Sequence, residues 1–205
     1  NTFNINFKQK ISNFYKNNKI LNQKIFDYIY GILHSEEYRK LFKNNLIKEF
    51  PKIPIIKNHS DFVKISEIGK KLCDLHLNYE NVKKYNCELV IKQNKMTKKD
   101  LYKVDKIKIH KNKDNFNIVY NSNIEIKNLP LEILNYKISG KSPVEWVVDK
   151  QMIKKDKRTN ITNDANDYAN EIMNNPAYPL ELIQKVITVS LDTMKLVNSL
   201  PKLNI

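Results

Sequence analysis

Three groups of residues in this 205-residue chain have types and spacing that could support catalysis or metal binding. Asp114 followed by Glu125-Ile126-Lys127 is the first. An Asp and a Glu-x-Lys on adjacent strands can bind Mg²⁺ and cut phosphodiesters. The pattern is short and arises easily in a Lys-rich chain, and the same residues serve equally as a solvated strand face with cross-strand charge pairs. The second is Cys73-Asp74-Leu75-His76 with Cys87 and His59, thiol and imidazole donors of the kind that hold Zn²⁺. Here the second pair lacks ligand spacing. Cys73 and His76 fall at helical spacing beside Leu72 and Leu75, so a packed thiol and a partner-satisfied imidazole are expected.

A third motif, Asn175-Pro176-Ala177-Tyr178, differs by one residue from the Asn/Asp-Pro-Pro-Tyr with which amino-methyltransferases hold a flipped adenine. No apolar strand precedes it, because Ala169 to Asn174 reads as helix, so it is expected to start a helix. The chain has three glycines, Gly31, Gly69 and Gly140. They cannot build a phosphate-binding loop or a dinucleotide fingerprint, and they argue against the glycine-rich cofactor loop of a methyltransferase. His34 lies in a tight helix-to-helix corner, where its ring is expected to bond backbone. Trp146, the only Trp, is expected in the core rather than as a base-stacking platform. No catalytic residue and no metal ligand is assigned.

The cationic residues are the stronger signal. The formal charge is +14. Residues 1 to 114 hold 25 Lys+Arg and 12 Asp+Glu, a balance of +13, whereas residues 115 to 205 hold 11 and 10. The Asn, Lys and Ile bias of a low-GC bacterial genome would spread Lys evenly. The densest stretch runs from Lys83 to Lys113, with eleven Lys against Glu88, Asp100 and Asp105. A localised basic region attracts a polyanion and releases its counterions. Nucleic acid is the first partner to consider. A membrane surface would call for a basic amphipathic helix, which does not appear there.

The elements that must position these residues follow from periodicity. The first third reads as helical. Ile25, Ile29, Ile32 and Leu33 recur at helical spacing, Ser35 caps a second helix with Tyr38, Leu41, Phe42 and Leu46, and Pro51 and Pro54 stop it. Ser60 caps a third, with Ile65, Ile68, Leu72 and Leu75 on one face. The middle alternates apolar and polar residues at Glu88 to Ile91, Val104 to Ile109, Asn117 to Tyr120 and Ile124 to Lys127. Lys111 to Asn115 and Asn121 to Asn123 read as turns, and Leu134 to Ile138 as a further strand. The last third returns to helix. Ser142-Pro143-Val144-Glu145 is a capping box, Asn163 or Asp164 starts another helix, and Ile183 to Val197 carries a long apolar stripe. The expected class is α+β, a helical scaffold around a small, mostly antiparallel sheet. One domain over 1–205 is expected, helical over residues 1–82, β-rich and basic over residues 83–140, and helical again over residues 141–205. Two cysteines and no signal region fit a reduced, cytoplasmic protein. The start at Asn1 suggests a segment of a longer polypeptide.

Several stretches line up, in order, with one family. They are 26–35 (Phe-Asp-Tyr-Ile-Tyr-Gly-Ile-Leu-His-Ser), Tyr38-Arg39, Phe50-Pro51-Lys52-Ile53-Pro54 and 69–80, which begins Gly-Lys-Lys-Leu-Cys-Asp-Leu-His. Then come Tyr102 to Ile107, Ile118-Val119-Tyr120-Asn121, Tyr136, Gly140 to Trp146, Asn163 to Asp167 and Val186 to Lys195. From about Phe26 to Pro201 the chain resembles the C-terminal specificity region of type ISP restriction-modification enzymes. Those single polypeptides join a nuclease, an ATP-driven translocase, an adenine-N6 methyltransferase and a specificity domain. The resemblance implies that this segment recognises a target in double-stranded DNA for chemistry located elsewhere. Within this segment no cofactor is expected. The parent would use S-adenosylmethionine, ATP and Mg²⁺, and its methyltransferase and translocase domains would be partners. The stretch Lys92 to Lys103 does not match the family's pattern, and variable stretches of this kind are places where bases are read.

On that reading Lys92, Lys95, Lys98, Lys99, Lys103, Lys106, Lys108, Lys111 and Lys113 are candidates to contact phosphates. Gln93, Asn94 and Asn112 could reach base edges, as could Arg158 in the polar loop Lys154 to Asn160. Each could equally be a solvated side chain. Two other functions stay open: a small metal-dependent nuclease, and an interdomain docking module without DNA contact.

Overall fold

The computed structural model describes residues 5–16, 20–92 and 95–204. Contacts divide the chain into two compact units, residues 1–77 with 193–205, and residues 78–192.

The first unit is helical: α1 (Ile5–Phe14), α2 (Asn22–His34), α3 (Glu36–Leu41), α4 (Lys43–Lys48) and α5 (His59–Leu77). Its frame is the crossing of α2 and α5, which touch backbone to backbone. A Cβ built on Gly69 would lie 1.8 Å from the Asp27 carbonyl oxygen, and one on Gly31 would lie 2.7 Å from that of Ile65. Two of the three glycines therefore serve helix contact. Tyr28, Tyr38, Phe62, Ile25, Ile32 and Ile65 fill the core. The Pro-containing segment after α4 pairs with no strand among the described residues, so its carbonyls need other donors. Tyrosines supply them at every second residue. Tyr38 donates to Lys52 O at 3.0 Å, Tyr28 to Pro54 O at 2.7 Å and Tyr15 to Ile56 O at 2.5 Å.

The capping expectations hold in part. The Ser35 Oγ accepts from Tyr38 N. The helix after it breaks at Phe42 into α3 and α4 and ends at Lys48, before either proline. Ser60 does not cap α5, which already begins at His59.

The second unit is α+β: β1 (Glu88–Ile91), α6 (Lys98–Leu101), β2 (Lys108–Lys111), β3 (Asn115–Val119), β4 (Ile124–Pro130), α7 (Pro143–Gln151), β5 (Lys154–Lys155), β6 (Thr162–Asn163), α8 (Ala165–Asp167) and α9 (Tyr178–Asn198), whose last six residues belong to the first unit. The sheet is antiparallel in the order β1-β4-β3-β2, and β5 and β6 form a separate hairpin. Phe116, Ile118, Ile124, Ile126 and Leu129 on one face pack against Val144 and Val148 of α7 and Leu180, Ile183 and Ile187 of α9. Strand alternation leaves Lys108, His110, Asn117, Glu125 and Lys127 on the other.

Two strand expectations change. Val104 to Ile109 pairs only from Lys108, because the backbone of Val104 is bonded at both ends by a side chain instead: it donates to Asn166 Oδ1 at 2.7 Å and accepts from Asn166 Nδ2 at 2.9 Å. Leu134 to Ile138 is not a strand. Residues Leu131–Leu134 wind into a 3₁₀ turn that buries Ile133 and Leu134. Ile138 then bridges Lys141 across Ser139 (φ 51°) and Gly140 (φ 86°), a tight turn that needs two left-handed residues. No helix among the described residues is long and apolar enough to cross a membrane.

Candidate nucleic-acid interface

The catalytic motifs do not assemble. Asn115 pairs with Pro130 while Glu125 pairs with Val119. Asp114, five residues before Val119, is thus displaced from Glu125 by roughly 16 Å at the strand rise. Glu125 instead accepts from the Asn117 carboxamide at 3.4 Å and lies 3.9 Å from the Lys127 ammonium. Asn175 starts α9: its Oδ1 accepts from Ala177 N at 3.1 Å, and Tyr178 is buried beside the Tyr168 ring. His76 Nδ1 lies 2.8 Å from the Tyr30 hydroxyl and Nε2 lies 2.8 Å from Thr193 Oγ1. Burial, then the neighbouring His34 ring, pushes the His76 imidazole down to about 4. His34 Nδ1 lies 2.8 Å from Tyr30 O. Cys87 belongs to the other unit, where Gln184 Nε2 donates to its sulfur at 3.3 Å. No group of three or more His, Cys, Asp or Glu among the described residues is placed to hold a metal ion. Trp146 is only partly buried: its indole N–H donates to Ile138 O at 2.8 Å, and the Lys141 ammonium sits 5.0 Å over its ring.

What the fold does gather is a cleft of about 610 Å³ at the β2 edge of the sheet unit. Lys103, Lys106 and Lys108 line it with Asp100, Asp105 and the β3–β4 turn Asn121-Ser122-Asn123. The three lysines are exposed, and alternation explains two of them, since Ile107 between Lys106 and Lys108 is buried.

The backbone beneath the cleft is fixed by side chains. Tyr120 donates to Tyr102 O at 2.7 Å. Asn121 Nδ2 donates to Leu101 O at 2.8 Å and to Lys103 O at 3.0 Å, while its Oδ1 accepts from Asn123 N and Ile124 N. Asn166 clamps Val104 as above, and its own helix starts on Asp164, which accepts from Asn166 N at 2.8 Å. Tyr102 to Asp105, Tyr120-Asn121 and Asn163 to Asp167 are thus three distant stretches that hold one loop. Burial drives the Tyr120 phenol up, so it stays a neutral donor. In the sequence Asn121 to Asn123 reads as a turn alone. Its place in the cleft has one signal there, the Tyr120-Asn121 pair within the resemblance.

The other candidates lie elsewhere. Lys92 is near the cleft, its N–H donating to Asn123 O at 2.9 Å. Lys95 is exposed, as are Lys98 and Lys99 in the single turn α6, which Thr97 caps. Gln93 and Asn94 lie outside the described residues. Lys111 ion-pairs with Glu145 at 2.8 Å. Burial pushes the Glu145 carboxyl up, but hydrogen bonds from Lys111 and Ser142 outweigh it and hold it at about 2. Lys113 and Asn112 sit in the β2–β3 turn, where Asn112 Nδ2 donates to Asn115 Oδ1 at 3.1 Å. Arg158 stands in the turn between β5 and β6. The positive excess is not confined to the sheet unit. That unit holds 20 Lys+Arg and 15 Asp+Glu, and the helical unit 16 and 7. The gradient along the sequence therefore does not translate into a gradient between units.

Comparison with known proteins places this arrangement. The family model of the Type ISP C-terminal specificity domain matches residues 2–182. The Type ISP restriction-modification enzyme LlaGI, solved as a nuclease-deletion mutant with a DNA substrate mimic, is 42% identical with a TM-score of 0.76, over 91% of this chain and 17% of that one. The ATP-dependent Type ISP enzyme LlaBIII, solved bound to DNA, is 35% identical with a TM-score of 0.79, over 93% and 12%. The DrdV–DNA complex shares the fold at 22% identity and a TM-score of 0.76, over 96% and 19%. The chain spans less than a fifth of each of these chains. No curated protein matches it. With the family model covering most of its length and two relatives above 30% identity, the chain belongs to the Type ISP C-terminal specificity domain family.

Proposed function

We propose that this chain recognises a sequence in double-stranded DNA and does so as the specificity part of a larger restriction-modification polypeptide. The family carries the reading, and the relatives LlaGI and LlaBIII were solved with a DNA substrate mimic and with DNA. One observation of the molecule supports it most. Lys103 projects from backbone clamped by Tyr120, Asn121 and Asn166, Lys108 from strand β2 paired to β3, and Lys106 from the segment between them. Cations on a fixed frame can set the register of a duplex by its phosphates, so that bases are read from a defined position.

Methylation, translocation and cleavage belong to other parts of such a polypeptide, with S-adenosylmethionine, ATP and Mg²⁺ as their requirements. Those parts are also this chain's covalent partners. Within the chain, Lys103, Lys106, Lys108 and the nearby Lys92 take the phosphate role. Lys95, Lys98, Lys99 and Lys113 extend it. Lys111 contributes least, because Glu145 already neutralises it. The experiment is selection from a library of randomised duplexes. The chain is expected to enrich a fixed motif, and recovery of random sequence at every round would contradict the reading.

A further inference from the structure

The cleft positions a duplex but offers few free donors for bases, since the Asn121 carboxamide is committed on both sides. A base reader must be sought elsewhere, and the composition points to one. Of the 36 cationic residues 34 are lysines, and the two arginines are Arg39 and Arg158. Arg39 is structural, its Nε donating to Leu33 O at 2.8 Å. Arg158 stands near the tip of the β5–β6 hairpin, exposed and without an ion pair among the described residues.

The hairpin is built to present that side chain. Its strands pair Lys154 with Asn163 and Lys155 with Thr162. The turn is closed by Asp156 N donating to Ile161 O and Asn160 N to Asp156 O, both at 2.9 Å, with Asn160 left-handed at φ 60°. The one carboxylate inside the hairpin does not neutralise its cations. Asp156 Oδ1 accepts from Arg158 N and Thr159 N at 2.8 Å and from Thr159 Oγ1 at 3.1 Å. It therefore holds the turn, and Lys155, Lys157 and Arg158 form no ion pair among the described residues. Lys154 is tied down to Asp149 at 2.6 Å, at the foot of the ribbon.

We propose that the β5–β6 hairpin enters the major groove of DNA and that Arg158 reads a guanine there. A two-stranded ribbon fits that groove, and the planar guanidinium fork meets guanine O6 and N7 in one preorganised geometry, whereas a lysine ammonium reaches them on a flexible stem with no fixed plane. Lys155 and Lys157 flank it and contact phosphates. The inference rests on the DNA-recognition reading above.

The test uses the 205-residue chain, its Arg158→Ala and Arg158→Lys variants, and Lys157→Gln as a phosphate-contact control. Randomised duplex selection and affinity titration are read for each, with melting midpoints to verify folding. The wild type should select a motif containing at least one guanine. Arg158→Ala should lose preference at that position and about 10- to 100-fold in affinity for the site. Arg158→Lys should retain only part of the preference, because the ammonium lacks the fixed fork. Lys157→Gln should weaken all duplexes alike and leave the motif intact. In the wild type, 7-deazaguanine at the contacted position removes the N7 acceptor and should reproduce the loss. The same base should cost nothing further in Arg158→Ala. A motif unchanged in a folded Arg158→Ala, or additive effects of variant and base analogue, would overturn the role of Arg158 while leaving DNA recognition standing. Failure of the wild type to bind any duplex would overturn both.

Discussion

At the scale of single residues, the side chains that matter most here are those that bond backbone. Asn166 satisfies both the N–H and the C=O of Val104, and Val104 is completely buried. Asn166→Ala leaves two buried polar groups without partners, at a cost on the order of 2 kcal/mol. We expect a lower melting midpoint and weaker DNA binding, because Lys103 precedes the freed residue. Asn166→Asp keeps the acceptor for Val104 N but sets its second oxygen against Val104 O and Asp164 Oδ1, which Asn166 Nδ2 now meets at 2.9 and 2.8 Å, so it should cost at least as much. His76 gives a second prediction. Its folded value of about 4 lies below the ordinary 6.5, so the unfolded chain takes up the proton first. Stability is then present above pH 6.5 and lost as pH falls toward 4, by on the order of 2 kcal/mol once the ring's partial exposure to solvent is discounted. His34, also shifted down, mainly by burial, adds loss in the same direction. Melting midpoints from about pH 7 to 4 should show the decline, and His76→Gln should flatten it.

At the scale of elements, the α2–α5 crossing is the most sensitive joint of the helical unit. A methyl at Gly69 would meet rigid backbone at 1.8 Å, so Gly69→Ala must push the helices apart. We expect a loss at or above the usual overpacking range of about 1–3 kcal/mol, read by denaturant unfolding. Gly140→Ala meets nothing within 4 Å and costs only the strain of its left-handed turn, roughly 1 kcal/mol. Helices with strong apolar stripes and caps, such as α7 with its Ser142 box and α9, are legible in the sequence because those signals are local. The strands β1, β3 and β4 are legible through alternation. The segments that mislead are those where a distant side chain replaces a neighbour. Val104 looks like strand but is paired by Asn166, 62 residues away. The cleft is half legible for the same reason. Lys103, Lys106 and Lys108 stand out by charge, whereas Asn121 to Asn123 acquire their place only from tertiary bonds. Lys111 looks like its neighbours until folding brings Glu145 to it.

At the scale of the whole molecule, net charge alone does not mark the interface. The helical unit carries the larger excess, +9 against +5. What distinguishes the sheet unit is the cleft that gathers Lys103, Lys106 and Lys108, and this sets how binding should respond to salt. Each phosphate contact adds about 0.9 to the slope of log affinity against log salt, so replacing Lys103, Lys106 and Lys108 together by Gln should lower the slope by roughly 3. Titrating the wild type and this triple variant with one duplex from about 50 to 300 mM salt, with fold checked by melting, tests the account most directly. It predicts a shallower line for the variant and weaker binding to every sequence. Two superimposable lines would contradict it.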